Sequence, residues 1–355
     1  MRSVKTIVFV LVFAVSAWLT AGSASASPGQ AAAKPDVKAK AGPAKATWTP
    51  PKTAWGDPDL SGVYTNNDES LIPFERPAEL AGKKLDDITP DELEKLVEQR
   101  DAQRAEADRN RAELRSPLHW FENIFPSNSR AWLVSDPPDG KVPPMTAEAQ
   151  QRNAARARER AAHGPADSPE DRSLYDRCIT RGIPGSMMPA IYGNAYEIVQ
   201  GQGYVAITYE MVHEVRVIPL APAPHVAPAI RMYMGDARGH WEGNTLVVET
   251  TNFTDKTSYR GSSEHLRLVE RFTRTGPDSV EWSSTFDDSH TWASPWTFAM
   301  RLSKKDDSQR PFEYACHEGN YAMSHLLAAA RAEENDVKNG VIRAAGPTGA
   351  DEQER

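Results

Sequence analysis

The chain has 355 residues and a formal charge of −8 at pH 7, with 41 Lys and Arg against 49 Asp and Glu. That balance offers no basic field for nucleic acid or an anionic membrane surface, so neither is an expected partner. No Gly-rich phosphate loop is present, and no organic cofactor is expected.

The first 26 residues read as a cleaved secretory signal peptide. Arg2 and Lys5 precede a mostly apolar run from Ile7 to Leu19, and Ala24-Ser25-Ala26 supplies a small-residue cleavage site. The run is shorter than the roughly 20 residues that cross a bilayer. Cleavage removes two basic residues and no acidic ones, which moves the formal charge to −10. A periplasmic or secreted protein is expected, with no membrane span after cleavage. Residues 27–50, rich in Ala, Pro and Lys, read as a disordered linker, and residues 336–355 as a disordered tail. Residues 51–335 read as a single domain.

Within that domain a short strand is expected at Leu60–Thr65. Thr89, Pro90 and Glu92 then form a helix-start signature, and a charge-dominated helix should run to about Leu114 with apolar contacts at Leu93, Leu96 and Val97. A Pro-broken aromatic segment follows, then a polar helix from Thr146 to about Ala162. A third, short helix should start at Ser168-Pro169-Glu170-Asp171 and carry Cys178 near its end. Together these make a helical insertion over residues 89–178.

From residue 190 to 320 the texture is that of a β-meander, with apolar and polar residues alternating between turns. Strands are expected at Tyr196–Val199, Tyr204–Leu220, Thr245–Thr250, Leu266–Thr273, Val280–Asp287, Thr297–Leu302 and Phe312–Cys316. With the early strand that is about eight, the number that closes a small barrel able to hold one small ligand. The expected fold is α+β: an antiparallel β-barrel or curved meander, with helices covering one side. The two cysteines, Cys178 and Cys316, are expected to pair, because an even count in an oxidising compartment leaves no orphan thiol.

The Tyr204–Leu220 strand places His213 in a row with Val205, Ile207, Tyr209, Met211, Val215 and Val217, apparently inward. A satisfied core histidine and a functional one both fit. The last strand puts Glu318 at the end of the row Phe312, Tyr314, Cys316, where a carboxylate needs a partner. If Glu318 or His317 met His213, the pair would serve as a general acid and base. An ion pair at the barrel rim is the plainer alternative. Glu210 and His213 lie on opposite faces of such a strand, and no strong metal-ligand spacing occurs, so no metal site is expected. Arg238 could bind a ligand carboxylate or pair with Asp236 in the turn they share with Trp241. Trp296, beside Trp292 and Pro295, could stack on a flat ligand or plug the barrel. Tyr209, Glu210, Arg238, Trp241, Trp296 and Tyr314 are therefore the candidate ligand-binding residues.

Five segments carry a resemblance. They are Trp55-Gly56-Asp57-Pro58-Asp59-Leu60-Ser61-Gly62-Val63-Tyr64, Glu75-Arg76-Pro77-Ala78-Glu79-Leu80, the stretch from Met234-Gly235-Asp236 through Trp241-Glu242-Gly243-Asn244 to Thr250, Val269-Glu270-Arg271-Phe272, and Tyr314-Ala315-Cys316-His317-Glu318-Gly319-Asn320-Tyr321. In this order they resemble a large family of uncharacterised exported proteins abundant in soil and environmental bacteria. The resemblance spans about residues 48–335. It implies export and a shared fold and brings no activity with it. Gly62-Val63-Tyr64 is also similar to the Gly-x-Trp start of lipocalin-like barrels, with Tyr in place of Trp.

The expected function is binding of a small organic ligand in the barrel. The alternatives are a cofactor-independent hydrolase or lyase using the His and Glu pair, and a structural envelope protein whose helical arm meets a partner.

Overall fold

The computed structural model describes residues 48–112, 127–190, 192–306 and 309–341. The expected signal peptide, most of the linker and most of the tail lie outside the described residues. The strands are β1 (Gly62–Thr65), β2 (Val134–Asp136), β3 (Ala195–Gly201), β4 (Tyr204–Tyr209), β5 (Val215–Pro219), β6 (Asp236–Glu242), β7 (Thr245–Thr251), β8 (Arg267–Gly276), β9 (Ser279–Asp287) and β10 (Trp296–Lys304). The helices are α1 (Pro90–Ala112), α2 (Ala147–Ala161) and α3 (Tyr321–Lys338).

All ten strands belong to one antiparallel sheet of order β5-β4-β3-β1-β10-β9-β8-β7-β6, with β2 on the flank of β10. The architecture is thus α+β with an open sheet, and the expected count of about eight strands is too low. No ladder joins β5 to β6, yet these edge strands approach closely. A Cβ at Gly239 of β6 would come within 2.8 Å of both Ile218 and Leu220, so only glycine leaves room for the two side chains.

Alternation along the strands builds the core. On β9, Val280, Trp282 and Phe286 are buried in the inner face, while Glu281 between them pairs with Arg130. Trp282, Trp292, Trp296, Phe272, Phe286, Phe298, Tyr64, Tyr196 and Tyr209 are all almost fully buried. Trp296 stacks on Phe286 with centroids 4.2 Å apart, and the Arg260 guanidinium lies 4.0 Å over the Phe74 ring beside them. This inner space is filled with side chains.

Helix starts follow the sequence. Thr89 accepts from the Glu92 amide, and Thr146 accepts from the Ala149 amide. Leu93 and Leu96 of α1 pack on a satellite core of Leu80, Ala131 and Trp132. Arg100, the buried charge on α1, binds Asn128 at 2.8 Å and the Ala131 carbonyl at 2.5 Å.

Four expected elements are different in the structure. The expected long strand from Tyr204 is a hairpin, β4 and β5, because residues 210–214 reverse the chain with Val212 and His213 at positive φ. The reversal puts Arg216 opposite Ile207 and turns Val215 and Val217 outward. Residues 312–316 form no strand, and Phe312 is exposed. The third helix is a single turn, Pro169–Asp171, although the Asp171 carboxylate does reach back to accept from the Ser168 amide. The Asp236–Trp241 turn is strand β6. The structure also adds α3, which has no buried residue.

The reversal brings a charge inside. Arg216 donates to Glu270 of β8 at 2.5 Å and to Thr250 of β7 at 2.6 Å, and Trp282 Nε1 donates to Glu270 at 3.2 Å. Arg216 and Glu270 are both buried. Burial is the largest influence and opposes the guanidinium's charge, but the Glu270 carboxylate and the Tyr209 hydroxyl together outweigh it and hold its pKa above the usual value. Removing one partner leaves the other charge uncompensated, so Arg216→Met should cost about 3–5 kcal/mol, and pairing it with Glu270→Leu should restore most of that. Urea unfolding of both variants measures this; a single variant costing under about 1 kcal/mol would refute the role given to the pair.

Candidate functional site

The site is built around the disulfide Cys178–Cys316, whose Cα atoms are 5.7 Å apart, as the sequence led one to expect. Each cysteine sits in a tight turn beside a tyrosine. The Cys178 amide donates to the Tyr175 carbonyl at 2.9 Å, and the Cys316 amide donates to the Tyr314 carbonyl at 2.7 Å. Closing the bridge therefore draws Tyr175 and Tyr314 together, with hydroxyls 3.4 Å apart.

A third tyrosine joins them from the segment that leads into β3. Asn194 fixes this segment by hydrogen bonds to both the amide and the carbonyl of Ala190. Gly193, at φ +75°, lets Met211 pass, since a Cβ there would lie 2.9 Å from the methionine Cε. The Tyr192 hydroxyl lies 3.4 Å from that of Tyr175 and 3.3 Å from that of Tyr314. The rings of Tyr192 and Tyr314 are stacked at an interplanar angle of 19°. Tyr175 also donates to the Met211 sulfur at 3.1 Å, and the Arg181 guanidinium lies 5.6 Å from the Tyr175 ring centre.

Three phenol oxygens thus form a nearly equilateral triangle, and all three side chains are half-buried. Burial, with hydrogen bonding from Tyr192, pushes the Tyr175 hydroxyl far above the ordinary phenol range, and burial raises Tyr314 as well. Both remain neutral donors at physiological pH. An oxygen atom seated over the triangle could accept from all three, with Arg181 near to balance negative charge.

Of the residues singled out in the sequence, Tyr314 is in this cluster. Glu210 is beside it on the Met211 turn, where its carboxylate accepts from the Ala195 amide at 3.0 Å. His213 is on the same turn but exposed, so the inward placement expected of it is wrong. His317 and Glu318 lie exposed in the turn after Cys316. Among the described residues no hydrogen bond or ion pair joins either of them to His213. Tyr209 is in the core next to Arg216, without a well-formed hydrogen bond to its hydroxyl. Trp296 is core as well, the plugging alternative. Trp241 packs against the core from β6. Arg238 donates to Asp236 at 2.7 Å, its ordinary structural role, and Asp236 in turn faces His225 at 2.9 Å.

Sequence reasoning missed Tyr175 and Tyr192. The signal for Tyr175 was its place three residues before Cys178, facing a Tyr314 two residues before Cys316. Among the described residues an open surface groove of about 590 Å³ lies elsewhere, lined by Arg231, Met232, Tyr233, Lys256 and Glu264 among others. Among the described residues no group of three or more His, Cys, Asp or Glu side chains is placed to hold a metal ion. No helix among them is long and apolar enough to cross a membrane. No family model, curated protein or solved structure matches the chain.

The raised phenols set a pH dependence. Tyr175 and Tyr314 are protonated in both folded and unfolded chains below the unfolded value near 10, so their contribution is intact there. It falls as pH rises above that value, because only the unfolded chain then ionises freely. Unfolding midpoints at about pH 8 and about pH 10.5 should therefore differ less in Tyr175→Phe than in the natural protein. An equal loss in both would show that the cluster does not hold its protons.

Proposed function

We propose that the protein is an exported binding protein that takes a small organic ligand at the phenol cluster beside the β4–β5 turn. The reading keeps the lipocalin-like expectation of ligand capture but moves the site out of the sheet. The observation that carries it is the convergence of three half-buried hydroxyls within 3.3–3.4 Å of one another. The inner face, by contrast, is filled by tryptophan and phenylalanine side chains that leave it without the lining of an open calyx. The disulfide supports export, since such bonds persist in oxidising compartments.

The ligand class suited to three neutral donors and a nearby guanidinium is a small organic acid. Its carboxylate would accept hydrogen bonds from the phenols, and its body would lie against the stacked rings of Tyr192 and Tyr314. Calorimetric titration of the mature protein with a panel of small carboxylic acids tests this. Tyr192→Phe and Arg181→Leu should each weaken a binding acid by about tenfold, the loss of one good hydrogen bond to a charge. Binding that survives both changes but is lost in Tyr233→Ala would move the site to the open groove.

A further inference from the structure

Tyr192 and Tyr314 are separated by 122 residues in the chain, yet their phenol ends meet. The hydroxyl oxygens are 3.3 Å apart, the ring centroids 6.4 Å apart, and the ring planes lie 19° from parallel. Rings whose centroids are almost twice as far apart as their oxygens approach each other by the hydroxyl ends, so an ortho carbon of each flanks the contact. Tyr196 and Tyr209 are also in ring contact, but they cross at 75° inside the core, and the Tyr196 hydroxyl turns to Asn66 instead. Two phenols meeting in this way have the geometry that oxidative coupling requires. We propose that Tyr192 and Tyr314 form a modification site at which a one-electron oxidant joins the two rings as an intrachain dityrosine.

The step consumes two equivalents of oxidant. Each phenol gives one electron to the oxidant and its hydroxyl proton to solvent, which leaves a phenoxyl radical with spin on its ortho carbons. The two unpaired electrons then form a carbon–carbon bond between ortho positions. The hydrogen on each joined carbon moves to the oxygen of its own ring and restores the phenol. The protein has lost two electrons and two protons, and each equivalent of oxidant has gained one electron. Position supplies the selectivity, because rings already held together couple without a diffusional encounter. Tyr175, with its hydroxyl 3.4 Å from both of the others, helps to hold them in place. Both rings are half-buried, which limits coupling to a second chain while leaving part of each ring within reach of a small oxidant.

The bond would lie where the fold has most use for it. Tyr314 is on the arm that Cys316 fastens to Cys178, and Tyr192 is on the segment that leads into β3. The disulfide brings the arm into place. Coupling ties it to the start of a sheet strand by a bond that thiols cannot reduce. No ligand takes part, so the modification does not depend on acid binding at the same residues.

The test is photo-oxidation of the dilute, disulfide-bonded mature protein with tris(bipyridyl)ruthenium and persulfate, followed by reduction, proteolysis and mass spectrometry. A peptide pair joined through Tyr192 and Tyr314, lighter by two hydrogens than its parts, is expected, with dityrosine fluorescence in the monomer fraction. Tyr192→Phe and Tyr314→Phe should each abolish that pair. Tyr204→Phe and Tyr321→Phe, at exposed tyrosines, should leave its yield unchanged. Protein that has been reduced, alkylated and unfolded in urea should lose the pair, because nothing then holds the rings together. This comparison on the natural sequence decides the matter even if a variant fails to fold. Absence of the pair at an oxidant dose that couples Tyr204 or Tyr321 between chains overturns the proposal, as does a yield equally high in the unfolded protein. Acid binding is read separately by calorimetry, so either reading can fail without the other.

Discussion

The curvature of the sheet depends on a buried ion pair. Arg216 sits on β5, at one edge of the hydrogen-bonded order, and its partners Glu270 and Thr250 sit on β8 and β7, next to the other edge. A flat sheet would hold those groups many strands apart. Only a sheet curled on itself lets them meet, and the narrow approach of Ile218 and Leu220 to Gly239 completes the curl without a backbone ladder. Such a pair adds little net stability compared with an apolar core, because desolvation offsets most of the attraction. Its effect is on specificity. Any arrangement that leaves the two edges apart buries an unpaired charge or exposes the aromatic face, and both are costly.

That constraint also decides where the proposed ligand would have to go. Tryptophans and phenylalanines from β8, β9, β10 and the preceding loops fill the concave side, with Phe272, Trp282, Phe286, Trp296 and Phe298 in mutual ring contact. A domain with this much aromatic volume inside is using its strands for packing. On the proposed reading, binding then falls to the connections, where backbone conformations are less ordinary. Val212 and His213 both adopt left-handed φ in the β4–β5 turn, and Cys178 does so at the bridge. For a β-branched residue such as Val212 this conformation is strained. All three positions border the phenol cluster or its supports.

Much of the fold was legible in the sequence, and the failures have physical causes. Period-two alternation located β7, β9 and β10 within a residue or two and β8 within three, because their inner rows are long and strongly apolar. The starts of α1 and α2 were legible because capping residues act locally. The β4–β5 hairpin was not. Its turn residues, Glu210-Met211-Val212-His213-Glu214, contain no glycine, proline or asparagine, and alternation runs unbroken across them. The period therefore continued through a reversal, which moved His213 and Val217 to the wrong side and hid Arg216. α3 was missed for another reason. Its apolar positions, Met323, Leu327 and Ala330, are only partly covered, and no tertiary pattern marks them. Of the site, the disulfide and Tyr314 were legible and Tyr192 was not, since nothing local relates it to either cysteine.

The disulfide ties the phenol cluster to an oxidising environment in a way that packing alone would not. Residues 312–338 gain almost nothing from burial, as Phe312 and Tyr321 are largely exposed and α3 has no buried side chain. Their attachments are few. Arg331 donates to the carbonyls of Ala166 and Asp167, Asn320 donates to the Asp176 carbonyl and to the Cys178 sulfur, and Tyr314 meets its two partner phenols. Each such surface or half-exposed bond contributes about 1 kcal/mol, comparable to the entropy lost by ordering a single residue. A covalent closure of a loop with a sequence separation of 138 residues removes far more freedom from the unfolded chain. The arm is therefore held chiefly by Cys178–Cys316, and with it the third oxygen of the cluster. In a reducing compartment the sheet would lose the bridge's contribution but keep its packed core, while the triangle of phenols would lose one corner. A site assembled in this manner is complete only where disulfides persist, so the chemistry of the cluster and an oxidising environment belong together.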